Sequence, residues 1–168
     1  EKSLTFGSQR AVGRNNLGRI TTRHKGGGAK RLLRLVDFKF DKKDVPARVD
    51  SVEYDPNRTA FIGLVVYKDG VKRYMVLPKN VGAGREILIS ERAEILPGNR
   101  LPLEKLPPGT FVYNIALSPE GKAALVRSAG SFAEVIAQDE RYTTLKLPSG
   151  ETRRVVKNAW ASIGQVSN

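Results

Sequence analysis

The sequence predicts an all-β protein, an extended basic arm followed by two small barrels. Three observations predict it. Short apolar, β-branched runs recur between Pro, Gly, Asp and Asn turn signals, the pattern of small barrels and sandwiches. No long amphipathic helical repeat is evident along the 168 residues. The first quarter is instead basic and glycine-rich: residues 1–43 hold 12 Lys/Arg against 3 Asp/Glu, an excess of +9 within a chain total of +12. The expected organisation is an arm over 1–34, a first barrel over 35–102 and a second over 103–168.

The arm is clearest from Arg10 to Arg34, RAVGRNNLGRITTRHKGGGAKRLLR, with eight Lys/Arg and no Asp/Glu. Its few aliphatics follow no steady period. Such a segment buries too little apolar surface to offset the entropy of ordering it. It is therefore expected to be disordered alone and ordered only against a polyanion. Arg14-Asn15-Asn16 sets a planar guanidinium fork beside two amides. Gly18 and Gly26-Gly27-Gly28 let backbone approach a phosphate closely. Thr21 and Thr22 add hydroxyl donors. Fully extended, 34 residues would reach on the order of 110 Å. A solvated basic tail is the plainer reading. The interleaved glycines and amides count against it, because simple basic tails are Lys-rich and repetitive.

Behind the arm, Leu33 to Phe40 is an apolar, β-leaning run. Ala47–Tyr54 reads as a strand, and Asp55-Pro56-Asn57-Arg58 as a turn in which Pro sets φ. Ala60–Lys68 and Val71–Pro78 form a hairpin around Asp69-Gly70. Glu86–Ile89 is a short strand, and Ala93–Leu96 is offered as another. Leu101–Pro108 holds three prolines and reads as the linker. Beyond it, Thr110–Leu117, Ala123–Arg127, Ala133–Gln138, Tyr142–Leu147 and Glu151–Lys157 are the expected strands, with a turn at Ser149-Gly150. Asn158–Val166 looks short and irregular.

Catalytic readings fare badly. There is no Cys and one His, His24, inside the arm. That leaves no triad, no Cys-ligated zinc and no evident paired carboxylates. Gly26–Arg31 lacks the spacing of a nucleotide-binding loop and a following Ser or Thr for Mg²⁺. No run of about 18 apolar residues suggests a membrane span. Net charge of +12 and a pI near 10.2 point to a polyanionic partner, nucleic acid or an anionic membrane surface. Arg58, Lys68, Lys72 and Arg73 offer a second basic surface around the hairpin, and Arg127, Arg153, Arg154 and Lys157 another. Arg127-Ser128-Ala129-Gly130 joins a guanidinium, a hydroxyl and open backbone in four residues. Tyr54, Tyr67, Tyr74, Tyr113 and Phe132 could stack on bases, although a strand tyrosine more often packs in a core.

GRNNLGRITTRHKGGGAKR (13–31), followed by Arg34-Leu35-Val36-Asp37-Phe38, closely resembles the N-terminal arm of the ribosomal protein L2 (uL2) family of the large subunit. The resemblance continues through Glu53–Arg58, Tyr67–Gly70, Arg73-Tyr74, Pro97–Asn99, Leu125–Gly130 and Leu147–Glu151. It implies an OB-like barrel followed by an SH3-like barrel. It also implies a non-enzymatic rRNA-binding protein near the peptidyl-transferase region and subunit interface. Partners would be large-subunit rRNA and other ribosomal proteins, with no membrane and no small-molecule substrate. No cofactor is expected, and Mg²⁺ would enter only through bound rRNA. By this resemblance Arg14, Asn15, Asn16, Arg19, Thr22, Arg23, His24, Lys25, Gly26, Gly27, Gly28, Lys30 and Arg31 carry over as rRNA contacts, with Arg127, Ser128 and Gly130 in the second barrel. Arg34, Arg58, Lys72, Arg73, Arg153 and Arg154 complete the candidate set. The family usually continues into a Gly-rich basic tail, whereas this sequence stops at Asn168. A split or trimmed gene would tilt the compartment weakly towards a mitochondrial ribosome, otherwise the cytoplasm or a plastid. A free single-strand nucleic-acid chaperone built on barrels is the alternative, and it would need exposed aromatics.

Overall fold

A computed structural model describes residues 1–7 and 12–168. Arg10, counted above in the arm, lies outside them. The described residues form fourteen strands and no α-helix. In order these are β1 (Thr5–Gly7), β2 (Leu32–Arg34), β3 (Ala47–Glu53), β4 (Ile62–Tyr67), β5 (Lys72–Val76), β6 (Glu86–Ile87) and β7 (Arg100–Pro102). Then come β8 (Phe111–Tyr113), β9 (Ile115–Ala116), β10 (Ala123–Leu125), β11 (Ala133–Gln138), β12 (Tyr142–Lys146), β13 (Thr152–Val156) and β14 (Trp160–Ile163).

The first sheet has the order β5-β4-β3-β6, all antiparallel. β4 is buried on both faces, which explains its unbroken apolar run. Gly70, at φ +83°, closes the β4–β5 hairpin, and its N–H donates to the Tyr67 carbonyl at 2.8 Å. A bulge between Val49 and Ser51 bends β3 so that one strand serves both β4 and β6. Phe40, Val49, Val65, Tyr67, Met75 and Leu77 fill the interior.

The second sheet runs β13-β12-β11-β8-β14-β7 around Leu103, Leu106, Val112, Ile115, Val135, Leu145 and Val155. Several expectations change here. Leu101–Pro108 is not a solvated linker: Leu101, Leu103 and Leu106 are buried. Pro102 is tolerated in β7 because that strand is the sheet's edge and Pro102 is its last residue. β7, counted above with the first barrel, hydrogen-bonds to β14 of the second sheet. Thr110–Leu117 is two strands rather than one. Asn114, at φ +49°, turns the corner between β8, which pairs with β11 and β14, and β9, which pairs with β10. Asn158–Val166 is not irregular, because β14 lies inside the sheet with all four residues buried. Ala93–Leu96 forms no strand; it is irregular, with a bend at Ile95, between turns at Glu91-Arg92 and Pro97-Gly98. Leu33–Phe40 contributes β2 residues and one bridge, Val36 to Tyr74, instead of a continuous strand.

The two sheets share a core. Trp160 and Ala123 pack with the interior of the first sheet. Tyr113 and Val166 pack with Ala60 and Val76.

Candidate nucleic-acid interface

The arm is not a free tail. β1 pairs antiparallel with β2, Thr5 opposite Arg34 and Gly7 opposite Leu32, so the chain between the two strands is closed at its base. The closure is held by backbone bonds across the pair, and the Leu35 N–H adds a bond to the Leu4 carbonyl at 2.9 Å.

Within that loop the chain folds locally without a core. The Gly13 carbonyl accepts from the N–H groups of Thr21 (2.8 Å) and Thr22 (3.4 Å). Asn15 Oδ1 accepts from the N–H groups of Leu17 (3.0 Å) and Arg19 (2.9 Å). The Asn15 N–H donates to the Arg19 carbonyl at 3.1 Å, and Arg14 bridges to Ile20. One Arg14 amino group donates to the carbonyls of Val12 and Lys25. Gly13 and Gly18 take φ of +66° and +76°, where a side chain is strained. Asn15 Oδ1 therefore orders the loop while the residue stays exposed, and Arg14 is partly spent in the same way. This part of the arm has local turns and bridges that its composition alone did not suggest. Side chain-to-backbone and turn bonds do locally what apolar burial does elsewhere.

Asn16, Arg19, Thr22, Arg23, His24, Lys25, Gly26, Gly27, Gly28, Lys30 and Arg31 are all exposed, as an anion-facing surface requires. So are Leu17 and Ile20, at 74% and 65%.

The root of the loop docks on the Asp55–Arg58 turn. An Arg31 amino group donates to the Pro56 carbonyl at 2.9 Å. Asn57 Nδ2 donates to the Leu32 carbonyl at 2.7 Å. Asp55, fully buried, accepts from Arg58 Nε at 2.6 Å and from Asn57, and lies 3.8 Å from Arg34. Burial alone would raise its pKa, but the bonds from Arg58 and Asn57 outweigh that and hold the carboxyl below its ordinary range.

This turn meets the second barrel. The Ala129 N–H donates to Thr59 Oγ1 at 3.3 Å. The guanidiniums of Arg58 and Arg127 lie 5.6 and 4.8 Å from the centre of the Phe38 ring. Val126, at φ +56°, is β-branched in the left-handed region and sets the direction of the Arg127–Gly130 turn. The structure thus brings Arg31, Arg34, Arg58 and Arg127 to one surface, joining the arm to both barrels. Ser128 is exposed, and its carbonyl accepts from Ser131 Oγ at 2.6 Å. Gly130, at φ +67°, donates its N–H to the Val166 carbonyl.

Other candidates are held elsewhere. Arg73 pairs with Asp37 (2.7 Å) and with Asp41, which lowers the Asp41 pKa and raises that of Arg73. Lys72 pairs with Glu1 at 3.4 Å. Arg153 and Arg154 lie on β13, the opposite edge of the six-stranded sheet from β7, with Arg154 bound to Asp139 at 2.7 Å. No hydrogen bond or ion pair among the described residues joins them to the arm. Of the tyrosines, Tyr67, Tyr74 and Tyr113 are core, while Tyr54 is 66% exposed. Phe132 packs on Phe111, ring centres 4.5 Å apart. Sequence reasoning missed Asn57 and Asp55 as the anchors of the arm. Their signal was the Asp55-Pro56-Asn57-Arg58 motif itself, whose spacing does not show which segment it anchors.

A glycine-rich cationic loop mounted on two fused β-barrels defines a β-protein with a surface suited to a polyanion. Among the described residues no group of three or more His, Cys, Asp or Glu could hold a metal ion, and no helix is long and apolar enough to cross a membrane. Residues 1–89 match the family model "Ribosomal Proteins L2, RNA binding N-terminal domain", and residues 96–168 match "Ribosomal Proteins L2, C-terminal domain". The chain belongs to the ribosomal protein L2 family. It is 50% identical over 167 residues to the large ribosomal subunit protein uL2 of Hyphomonas neptunium, covering 99% of this chain and 60% of that protein. The chain thus spans about 60% of the length of that relative. The two sheets are the OB-like and SH3-like barrels that the resemblance implied. That relative is bacterial, so the lean towards a mitochondrion finds no support.

Proposed function

We propose that this chain is a structural constituent of the large ribosomal subunit that binds and stabilises rRNA and performs no catalysis of its own. One observation carries the reading: residues 8–31, closed at their base by β1 and β2, hold seven Lys/Arg and no Asp/Glu. Arg14, Arg19, Arg23, Lys25, Lys30 and Arg31 supply charge to phosphates, and the glycines supply open backbone. Arg127 and Ser128 extend the surface onto the second barrel. Arg34, Arg58 and Arg73 act mainly by positioning, because carboxylates of this chain already hold them. Placement near the peptidyl-transferase region and subunit interface, with neighbouring ribosomal proteins as partners, belongs to the same proposal and rests on the family. So does the division into arm, first barrel and second barrel, with β7 carrying the crossing. Mg²⁺ enters only with the RNA. The chaperone alternative needs exposed, stacked tyrosines and no fixed binding site; Tyr67, Tyr74 and Tyr113 are core, and Tyr54 and Tyr142 are the exposed ones.

Binding to an rRNA fragment should weaken steeply with salt. If about six phosphates are neutralised, the log–log slope is roughly −5. A slope near zero sinks the phosphate mechanism. Co-sedimentation with large-subunit particles separates a ribosomal constituent from a free chaperone.

A further inference from the structure

Between the barrels lies a cavity of about 560 Å³. Its apolar walls are Phe40 from the first barrel and Trp160 from the second. Four cations line it: Arg100, Lys39, Lys43 and Lys122. Two carboxylates line it as well, Asp41 and Glu120, of which Asp41 is committed to Arg73.

Arg100 is the unusual member. It is buried, at 2% exposure, and none of the ion pairs among the described residues includes it. Its amino groups donate to the Asn114 carbonyl (2.6 Å), the Trp160 carbonyl (3.1 Å) and Ser162 Oγ (3.2 Å). These partners are neutral. The Phe40 ring lies 4.2 Å from the guanidinium carbon and is neutral too. A buried cation with no countercharge is costly, and the same burial pushes its pKa down to about 9. The cost is lowered if an anion enters the cavity beside it. Low-dielectric walls focus the field of Arg100 into that space. Lys43 is fixed there as well, its ammonium 4.5 Å from the centre of the Trp160 ring.

We infer that this inter-barrel cavity is a phosphate-binding site, with Arg100 at its wall and Lys39, Lys43 and Lys122 around its mouth. Phosphate fits because the lining holds more cations than carboxylates, and its several oxygens can accept from more than one of them at once. None of these four residues belongs to the RNA-contact set proposed above. The occupant is a free phosphate or a backbone phosphate of bound RNA, and only the second source rests on the proposed function.

The protein has one tryptophan, and it lines the cavity. Pyrophosphate titrated into the full chain at constant ionic strength should change Trp160 emission saturably, whereas sodium chloride should not. The double variant Lys39→Gln/Lys122→Gln removes two exposed charges without touching the core and should weaken pyrophosphate binding by about tenfold. Glu120→Gln should tighten it. Absence of a saturable change, or unchanged affinity in the double variant, overturns the site. Displacement of pyrophosphate by an rRNA fragment supports a backbone phosphate as the occupant. RNA that binds by gel shift without displacing it supports a free phosphate. An RNA fragment that fails to bind at all strikes the proposed function and leaves the pyrophosphate result standing.

Discussion

Asp55 shows how one buried carboxylate orders a surface that it does not itself present. It holds Arg58 and Asn57, lies 3.8 Å from Arg34, and through Asn57 fixes the root of the arm. Its folded pKa is depressed below the ordinary 3.8. The stability it contributes is therefore present above pH 3.8 and is lost as pH falls through the lower folded value. Asp55→Asn should cost about 2 kcal/mol at pH 7, because a buried charged partner is lost. Thermal unfolding measured from pH 7 down to pH 2 should show the two proteins converging at the acid end. A constant gap would mean that the carboxylate charge is not the cause. In the arm, the triple variant Arg14→Gln/Arg19→Gln/Arg23→Gln should lower RNA affinity and flatten the salt slope by about two to three units. Filter binding at several salt concentrations reads both effects.

Among the elements, β4 and the arm loop fail in opposite ways. A Cβ on Gly63 in β4 would lie 2.7 Å from a methyl carbon of buried Leu77. Gly63→Ala should destabilise the body by about 1–3 kcal/mol, read by urea unfolding, and should alter RNA affinity only through folding. A Cβ on Gly13 would lie 2.6 Å from the Thr22 carbonyl oxygen, on backbone at φ +66°. Gly13→Ala should break the loop and weaken RNA binding while leaving the body's unfolding midpoint in place. Much of this was legible beforehand. The Asp69-Gly70 and Ser149-Gly150 turns, the β4–β5 hairpin and the acid-free loop all follow from local chemistry. β14 and the buried Leu101–Leu106 stretch did not, because burial there is set by strands distant in sequence. Nor did the sequence show that Asn15 Oδ1 would bind the loop's own backbone. An amide beside an arginine looks the same whether it meets RNA or its own backbone. Arg73 carried a similar ambiguity, since the two aspartates that hold it lie more than thirty positions away.

At the scale of the whole molecule, the barrels are not independent. Trp160 and Ala123 sit in the first core, and Arg100 and Lys43 each cover a ring of the other barrel. Trp160 fluorescence and far-UV circular dichroism should therefore report one coincident thermal transition. Two separated transitions would show that the shared core contributes little. The closed base of the arm has a further consequence, one of order in time. A free tail can be fed end-first through a finished gap, but a loop enters only as a doubled strand. With 24 residues between Gly7 and Leu32, its reach is at most about 40 Å rather than 110 Å. RNA that encircles such a loop has to close after the loop is in place. The β1–β2 pair would then make this protein an early arrival, around which its surroundings finish folding.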